Sequence, residues 1–229
     1  MEHIIEAKGL IKKYELNKKH SVCVINEMDV AIEKGEFVSV LGRSGSGKTT
    51  LLHMLGGLIV PTKGEIRVNG KELTKMNDRE RAMFRNKEMG FVFQSFYVEK
   101  RFNAYDNVMF PLLVTNMSRH EMRERVEQAM EIVGLTDRKD HRPTELSGGE
   151  IQRLCIARAI VNNPGILFAD EPTGQLDSLT GGMIMELFGK LNEAGKTIVM
   201  VTHNEKDAKE FSRKIIRIKD GKLVEGDYR

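Results

Sequence analysis

Cysteine is scarce in this 229-residue chain, where Cys23 and Cys155 are the two present. One pair cannot form a disulfide scaffold, and so few thiols fit a reducing compartment. Proline is also sparse, at 5 residues, and the 21 glycines follow no period, which excludes collagen-like and low-complexity chains. No apolar run approaches the roughly 20 residues needed to span a bilayer. The opening, Met1-Glu2-His3-Ile4-Ile5-Glu6-Ala7-Lys8, carries acids where a secretory leader has a basic patch and then an apolar stretch. A one-sided charge is lacking too. Lys+Arg 36 against Asp+Glu 33 leaves +3, too balanced to argue for a nucleic-acid partner. What is present is 40% hydrophobic residues in a length suited to one well-cored domain, of one lobe or two. The expectation is a soluble, cytoplasmic chain.

Strand and helix signals alternate. Glu36-Phe37-Val38-Ser39-Val40-Leu41 reads as a buried strand, followed by a glycine-rich loop and a helix over Thr49 to Leu55. Gly90 to Phe93, Ile166 to Ala169, Thr197 to Val201 and Ile215 to Ile218 are further strand candidates. The central ones are apolar throughout, as parallel strands covered on both faces require. Two regions break the rhythm. Val22 to Ile32 and Glu65 to Val68 read as half-exposed antiparallel strands, with Gly64 and Asn69-Gly70 supplying turns. Ser118 to Val133 reads as a helix: Ser118 and Glu121 suit a capping box, and Met122, Val126, Met130 and Val133 repeat at core spacing. Ser95 to about Arg153 is read as a helical lobe inserted in the α/β core. Lys219-Asp220-Gly221-Lys222 signals a closing hairpin.

Three motifs carry chemistry. Gly42-Arg43-Ser44-Gly45-Ser46-Gly47-Lys48-Thr49 satisfies G-x-x-x-x-G-K-[ST]. Its glycines let backbone N–H groups converge on a phosphate, and the helix that follows adds positive potential. Lys48 would reach the β- and γ-phosphates and Thr49 would offer a hydroxyl to Mg²⁺, with Thr50 beside it; Arg43 sits at a free, solvated position. A plain Gly/Ser turn is the alternative, but such turns seldom separate a buried strand from a helix. Ile166-Leu167-Phe168-Ala169-Asp170-Glu171 is an apolar strand ending in two acids, at the edge where α/β sheets bind ligands. Asp170 would serve the metal and Glu171 would polarise the attacking water. Alone, the pair reads equally as an ordinary strand end or as a functional site; beside a phosphate loop the functional reading becomes strong. Leu146-Ser147-Gly148-Gly149-Glu150 precedes a helix over about Ile151 to Val161 and offers a second donor array, which alone reads as a simple N-cap.

These motifs together resemble the ATP-binding cassette ATPases, and the resemblance covers essentially the whole chain. Gln94, ending Phe91-Val92-Phe93-Gln94, resembles the family's Q-loop glutamine; Gly174-Gln175-Leu176-Asp177 resembles its D-loop; His203, after Val199-Met200-Val201-Thr202, resembles its switch histidine. Tyr14 resembles the aromatic that stacks on adenine, its alternative being a strand-end core tyrosine. The resemblance implies a P-loop NTPase core of RecA-like type over 1–94 and 154–229, with an N-terminal antiparallel β subdomain and an inserted helical subdomain over 95–153. It implies ATP and Mg²⁺, with Thr49, Gln94 and Asp170 at the metal. It further implies a head-to-tail pair of copies in which Ser147, Gly148 and Gly149 of one meet the nucleotide on Gly42 to Thr49 of the other, with Asp177 at the seam.

Gly35-Glu36-Phe37-Val38-Ser39, Gly90 to Gln94, Asp106-Asn107-Val108, Pro111-Leu112 and Ala169 to Gly174 are similar to the lipoprotein-release, macrolide-export and cell-division ATPases. Two positions depart: Glu150 stands where most members have Gln, although some cell-division types carry Glu, and Gln175 stands where this subgroup usually has Asn or Ala. The implied function is an ATPase subunit, peripheral on the inner face of the membrane, that drives a separate integral-membrane permease. A cell-division type whose partner transports nothing is the alternative. A soluble clamp acting on DNA or ribosomes fits less well, because Lys48 and Ser147 are only 99 positions apart with no sustained heptads between them. The stretch from Phe96 to Leu113 is the expected dock, with Phe96, Tyr97, Phe102 and Tyr105 either exposed for a partner or packed inside the lobe. Of the remaining residues, His20, His53, His120 and His141 show no zinc spacing, Cys155 reads as a small core hydrophobe, and Lys12-Lys13 and Lys18-Lys19 read as solvated.

Overall fold

The computed structural model describes residues 3–17 and 20–224; Lys18 and Lys19 lie outside them. Two sheets make the frame. The first is antiparallel, in the order β2-β1-β4-β5, from β1 (His3–Asn17), β2 (His20–Glu33), β4 (Lys63–Val68) and β5 (Lys71–Glu72). The second has the order β10-β9-β3-β8-β7-β6. It comprises β3 (Phe37–Leu41), β6 (Met89–Val92), β7 (Ile166–Asp170), β8 (Thr197–Val201), β9 (Lys214–Lys219) and β10 (Lys222–Val224). The five strands from β9 to β6 pair in parallel, and β10 closes the edge antiparallel to β9.

The continuous apolar strands follow from burial on both faces. Val38, Val40, Ile166, Phe168, Val199 and Val201 point into a core shared with the antiparallel sheet and α1 (Lys48–Leu55). Phe37, Leu167, Ala169, Ile198 and Met200 point the other way, into a core with α5 (Gly148–Ile160) and α6 (Ser178–Glu193). Alternate side chains thus serve different cores, so no polar face remains to mark the period.

Between these strands lie α2 (Asp78–Glu88), α3 (Ala104–Met109), a 3₁₀ turn over Phe110–Val114, and α4 (Arg119–Ile132); α7 (Glu205–Phe211) follows β8. On α4, Val126, Met130 and the following Val133 are buried and Met122 is partly so. Its cap is half of the expected box. Ser118 Oγ accepts the Glu121 N–H at 3.2 Å, but the Glu121 carboxylate turns to Arg125 at 3.1 Å. Asn107 explains why its stretch is so particular: it is buried, its Oδ1 accepts from Glu99 N–H at 2.9 Å, and its Nδ2 donates to the Glu99 and Asn103 carbonyls at 3.0 and 2.9 Å.

The antiparallel sheet adds a strand the sequence did not mark and reassigns one glycine, while both expected turns are present. The N-terminal strand β1 carries no clean alternation, because its pairing with β2 shifts register between Ala7 and Leu10, where Gly9 adopts φ +58°. Gly64 is not a turn residue: it lies inside β4 with φ +97°, where a Cβ would stand 2.5 Å from the Gly9 carbonyl oxygen. The turns are Asn69-Gly70 and Asp220-Gly221, left-handed at both residues as two-residue hairpins require. No helix among the described residues is long and apolar enough to cross a membrane.

Candidate active site

The phosphate loop joins β3 to α1. Gly47 caps α1 in the left-handed region at φ +104°, and a Cβ there would stand 2.8 Å from the Val24 carbonyl oxygen, so β2 presses on the loop too closely for any side chain. No side chain caps α1, and no acid lies in its first turn, which leaves its first N–H groups and its dipole for an anion. Lys48 is buried and its Nζ donates to the Arg43 carbonyl at 3.0 Å, so the ammonium lies folded over the loop. Arg43, Ser44 and Gly45 are exposed and Ser46 is buried. Ser44 to Ser46 line a cleft of about 570 Å³, together with His203, Glu205 and Arg217. Tyr14 is 40% exposed, which rules out the core reading, and Lys12 Nζ lies 5.1 Å from its ring centroid. It pairs with Val22, two residues along β2 from the Val24 that touches Gly47.

Two acids end β7, and their environments differ. Asp170 is buried; burial pushes its carboxyl up, opposed by the Thr49 hydroxyl that donates to Oδ1 at 3.1 Å. Two oxygen donors so placed fit a hard cation such as Mg²⁺. Glu171 is more open and is held at φ +45°, a conformation a side chain adopts at a cost of order 1–3 kcal/mol. Its N–H donates to Val201 O at 2.9 Å and its carbonyl accepts Gly174 N–H at 3.0 Å, which fastens the turn.

Strand register then gathers three side chains. Val92 pairs with Ala169, and Asp170 with Val201, so Gln94, Glu171 and His203 leave the same edge of neighbouring strands. Gln94 Nε2 donates to Glu171 Oε2 at 3.3 Å, and His203 Nδ1 lies 3.3 Å from the same oxygen.

The second donor array lies at the start of α5. Ser147 caps the helix in a complete capping box with Glu150. Gly149 abuts α6 so closely that a Cβ would meet Thr180 Cγ2 at 2.5 Å. Asp177 caps α6, accepting Leu179 and Thr180 N–H groups at 3.0 Å each and the Thr180 hydroxyl at 2.6 Å, and these bonds, the hydroxyl's first, hold its carboxyl below the usual range.

Residues 25–174 match the ABC transporter family. The chain belongs to that family. As an ABC protein it binds ATP and is an ATPase. The lipoprotein-releasing system ATP-binding protein LolD of Aquifex aeolicus is 44% identical to it over 95% of this chain and 93% of its own length. The macrolide export ATP-binding/permease protein MacB of Chlorobaculum tepidum is also 44% identical, over 97% of this chain and 34% of its own. A dimeric ATP-binding cassette solved in a post-hydrolysis state with ADP and phosphate superposes with a TM-score of 0.89, at 39% identity and 98% coverage of both chains.

Within this ABC site, three neighbours escaped the sequence reading. His53 lies one helical turn beyond Thr49, with Nε2 4.0 Å from Asp170 Oδ2; burial lowers its pKa, and the Asp170 charge opposes the shift. Its i+4 spacing from Thr49 was the available signal. Buried Gln152 donates from Nε2 to the Pro172 carbonyl at 2.6 Å, tying α5 to the turn after Glu171. Arg138 binds Glu150 across the start of α5. Cys155 is buried as expected: its Sγ donates to Phe96 O at 3.0 Å, and burial pushes its thiol up to about 11.

Proposed function

We propose that the chain works as a head-to-tail pair driving a separate integral-membrane permease, in a lipoprotein-release or macrolide-export type of mechanical system on the inner face of the membrane. The convergence of Gln94 and His203 on one oxygen of Glu171, beside Thr49 and Asp170, carries the hydrolytic part of this reading. In it, Gly42 to Lys48 cradle the triphosphate and Thr50 continues the cradle. Tyr14 stacks on adenine. Thr49 and Asp170, with Gln94, hold Mg²⁺, which would neutralise charge on the phosphates. Glu171 accepts a proton from the attacking water, and His203 keeps that carboxylate aimed. Ser147, Gly148 and Gly149 of the other copy close over the γ-phosphate, with Asp177 at the seam. The relative named for both ATP binding and permease joins the two functions in one protein, which supports a permease as the partner here.

Glu171→Gln tests the chemistry. The variant should still bind ATP, accumulate as an ATP-bound dimer, and turn over at least about 10²-fold more slowly. Near-normal hydrolysis in a single-turnover measurement would remove Glu171 from this role.

The dock belongs on the surface where apolar side chains face solvent. Phe96 and Tyr105 pack against the core, whereas Phe102 and Tyr97 are exposed. Phe110, Leu113, Val114 and Met83 are each more than half exposed, and Met83 and Val114 line one cleft. Patches of this kind mark partner sites. Leu113→Glu should lower co-purification with the permease while ATP binding by the isolated chain persists. Undiminished co-purification would move the dock elsewhere.

A further inference from the structure

The start of α5 holds a carboxylate among donors that the proposed site needs for phosphate. Glu150 Oε2 accepts the Ser147 N–H at 2.8 Å and the Ser147 hydroxyl at 2.7 Å, while Glu150 N–H donates back to Ser147 Oγ at 3.3 Å. A serine hydroxyl has one proton. Ser147 therefore donates either to its own Glu150 or to an incoming phosphate, not to both. A phosphate oxygen taking that proton would lie within about 5.5 Å of the carboxylate, two hydrogen-bond lengths away, and the two negative charges would repel. The other oxygen, Oε1, is bound by Arg138 Nε at 2.9 Å, from the 3₁₀ turn that follows α4. Arg138 is exposed on its outer side and Glu150 is largely covered. A guanidinium so placed neutralises the carboxylate and keeps it bound after the hydroxyl has left.

We propose that Arg138 is a positioning residue of the ATPase reaction: by pairing with Glu150 it frees Ser147 to turn its hydroxyl from that carboxylate to the nucleotide held by a second copy. The inference rests on the proposed sharing of each nucleotide between two copies. Gln at position 150 would need no such guanidinium, since it brings no charge; Glu does. The pair sets how much ATP is needed to close the two copies, and leaves the chemistry at Glu171 alone.

The test is steady-state hydrolysis by the full chain with Mg·ATP. Arg138→Met should raise the half-saturating ATP concentration about fivefold, the upper end for a partly exposed charge pair, with kcat within twofold. Adding Glu150→Gln to Arg138→Met should return it to within twofold of the parent, and the Arg138→Met defect should shrink in high salt as the uncovered charge is screened. A purely structural ion pair would change the melting temperature without this salt-dependent shift. Half-saturation within twofold of the parent in Arg138→Met, or no rescue in the double variant, overturns the proposal. If Arg138→Met does not fold, Glu150→Gln alone decides: a lower half-saturating concentration supports the proposal, and an unchanged or higher one overturns it. Ser147→Arg separates the two layers. Wild-type hydrolysis by that variant would sink the shared site itself, whereas its inactivity combined with an unmoved Arg138→Met sinks only the role of Arg138.

Discussion

Two helices of this chain begin on glycine-rich sequences, and they are finished differently. At α1 the cap is Gly47, no side chain satisfies the first N–H groups, and the first turn carries no acid. At α5 the cap is Ser147, its hydroxyl and amide are engaged by Glu150, and that acid sits in the first turn. In the proposed reading the first start is a phosphate cradle prepared within one chain, with Lys48 folded over it. In the same reading the second, whose Ser147 is engaged by its own Glu150, must exchange bonds before it serves a phosphate. Such a device suits a contact made and broken in each cycle, because the Ser147 amide and hydroxyl stay paired while it waits.

Breaking each start should therefore give different losses. Lys48→Ala should abolish hydrolysis by removing ATP binding itself. Ser147→Arg should abolish hydrolysis while ATP binding by the same chain persists, because the arginine blocks the nucleotide of the other copy. Filter binding beside an ATPase assay separates the two, and equal loss of binding in both variants would erase the distinction.

A smaller effect concerns acid. The Ser147 amide, followed by Arg138 and the Ser147 hydroxyl, holds the Glu150 carboxyl at about 2, below its ordinary 4.5. A depressed carboxyl contributes stability at pH values above its unfolded pKa, and that contribution fades as pH falls through the folded value. Between about pH 4.5 and pH 2, Glu150→Gln should accordingly lose less stability than the parent, measured by thermal melts. Parallel pH curves would show that the capping box at α5 is not held by charge.

Much of the site was legible because its residues lie at strand ends and in one loop, where local pattern and position coincide. Asp170 and Glu171 end an apolar run, Gln94 and His203 end two others, and parallel pairing does the rest. Residues that act across the chain left weaker marks. Arg138 meets Glu150 over an irregular turn, and Gln152 meets Pro172 from inside α5, so neither contact has a spacing to reveal it. The antiparallel sheet was half legible. β2 and β4 carry recognisable patterns, but the register shifts of β1 scramble its alternation. Among the aromatics of the lobe, composition alone could not separate Phe96, which packs on the core, from Tyr97, which is 71% exposed.

The central claim, that hydrolysis joins the phosphate loop of one copy to the Ser147 array of another, is most directly tested by crosslinking. Cysteines would replace Ser44 and Gly148 in a background where exposed Cys23 is Ser and Glu171 is Gln, with buried Cys155 retained as a control. With Mg·ATP the account predicts dimers joined between Ser44→Cys of one copy and Gly148→Cys of the other, and their loss when Lys48→Ala is added. A chain that binds ATP in this background yet forms no such intersubunit crosslink would contradict it.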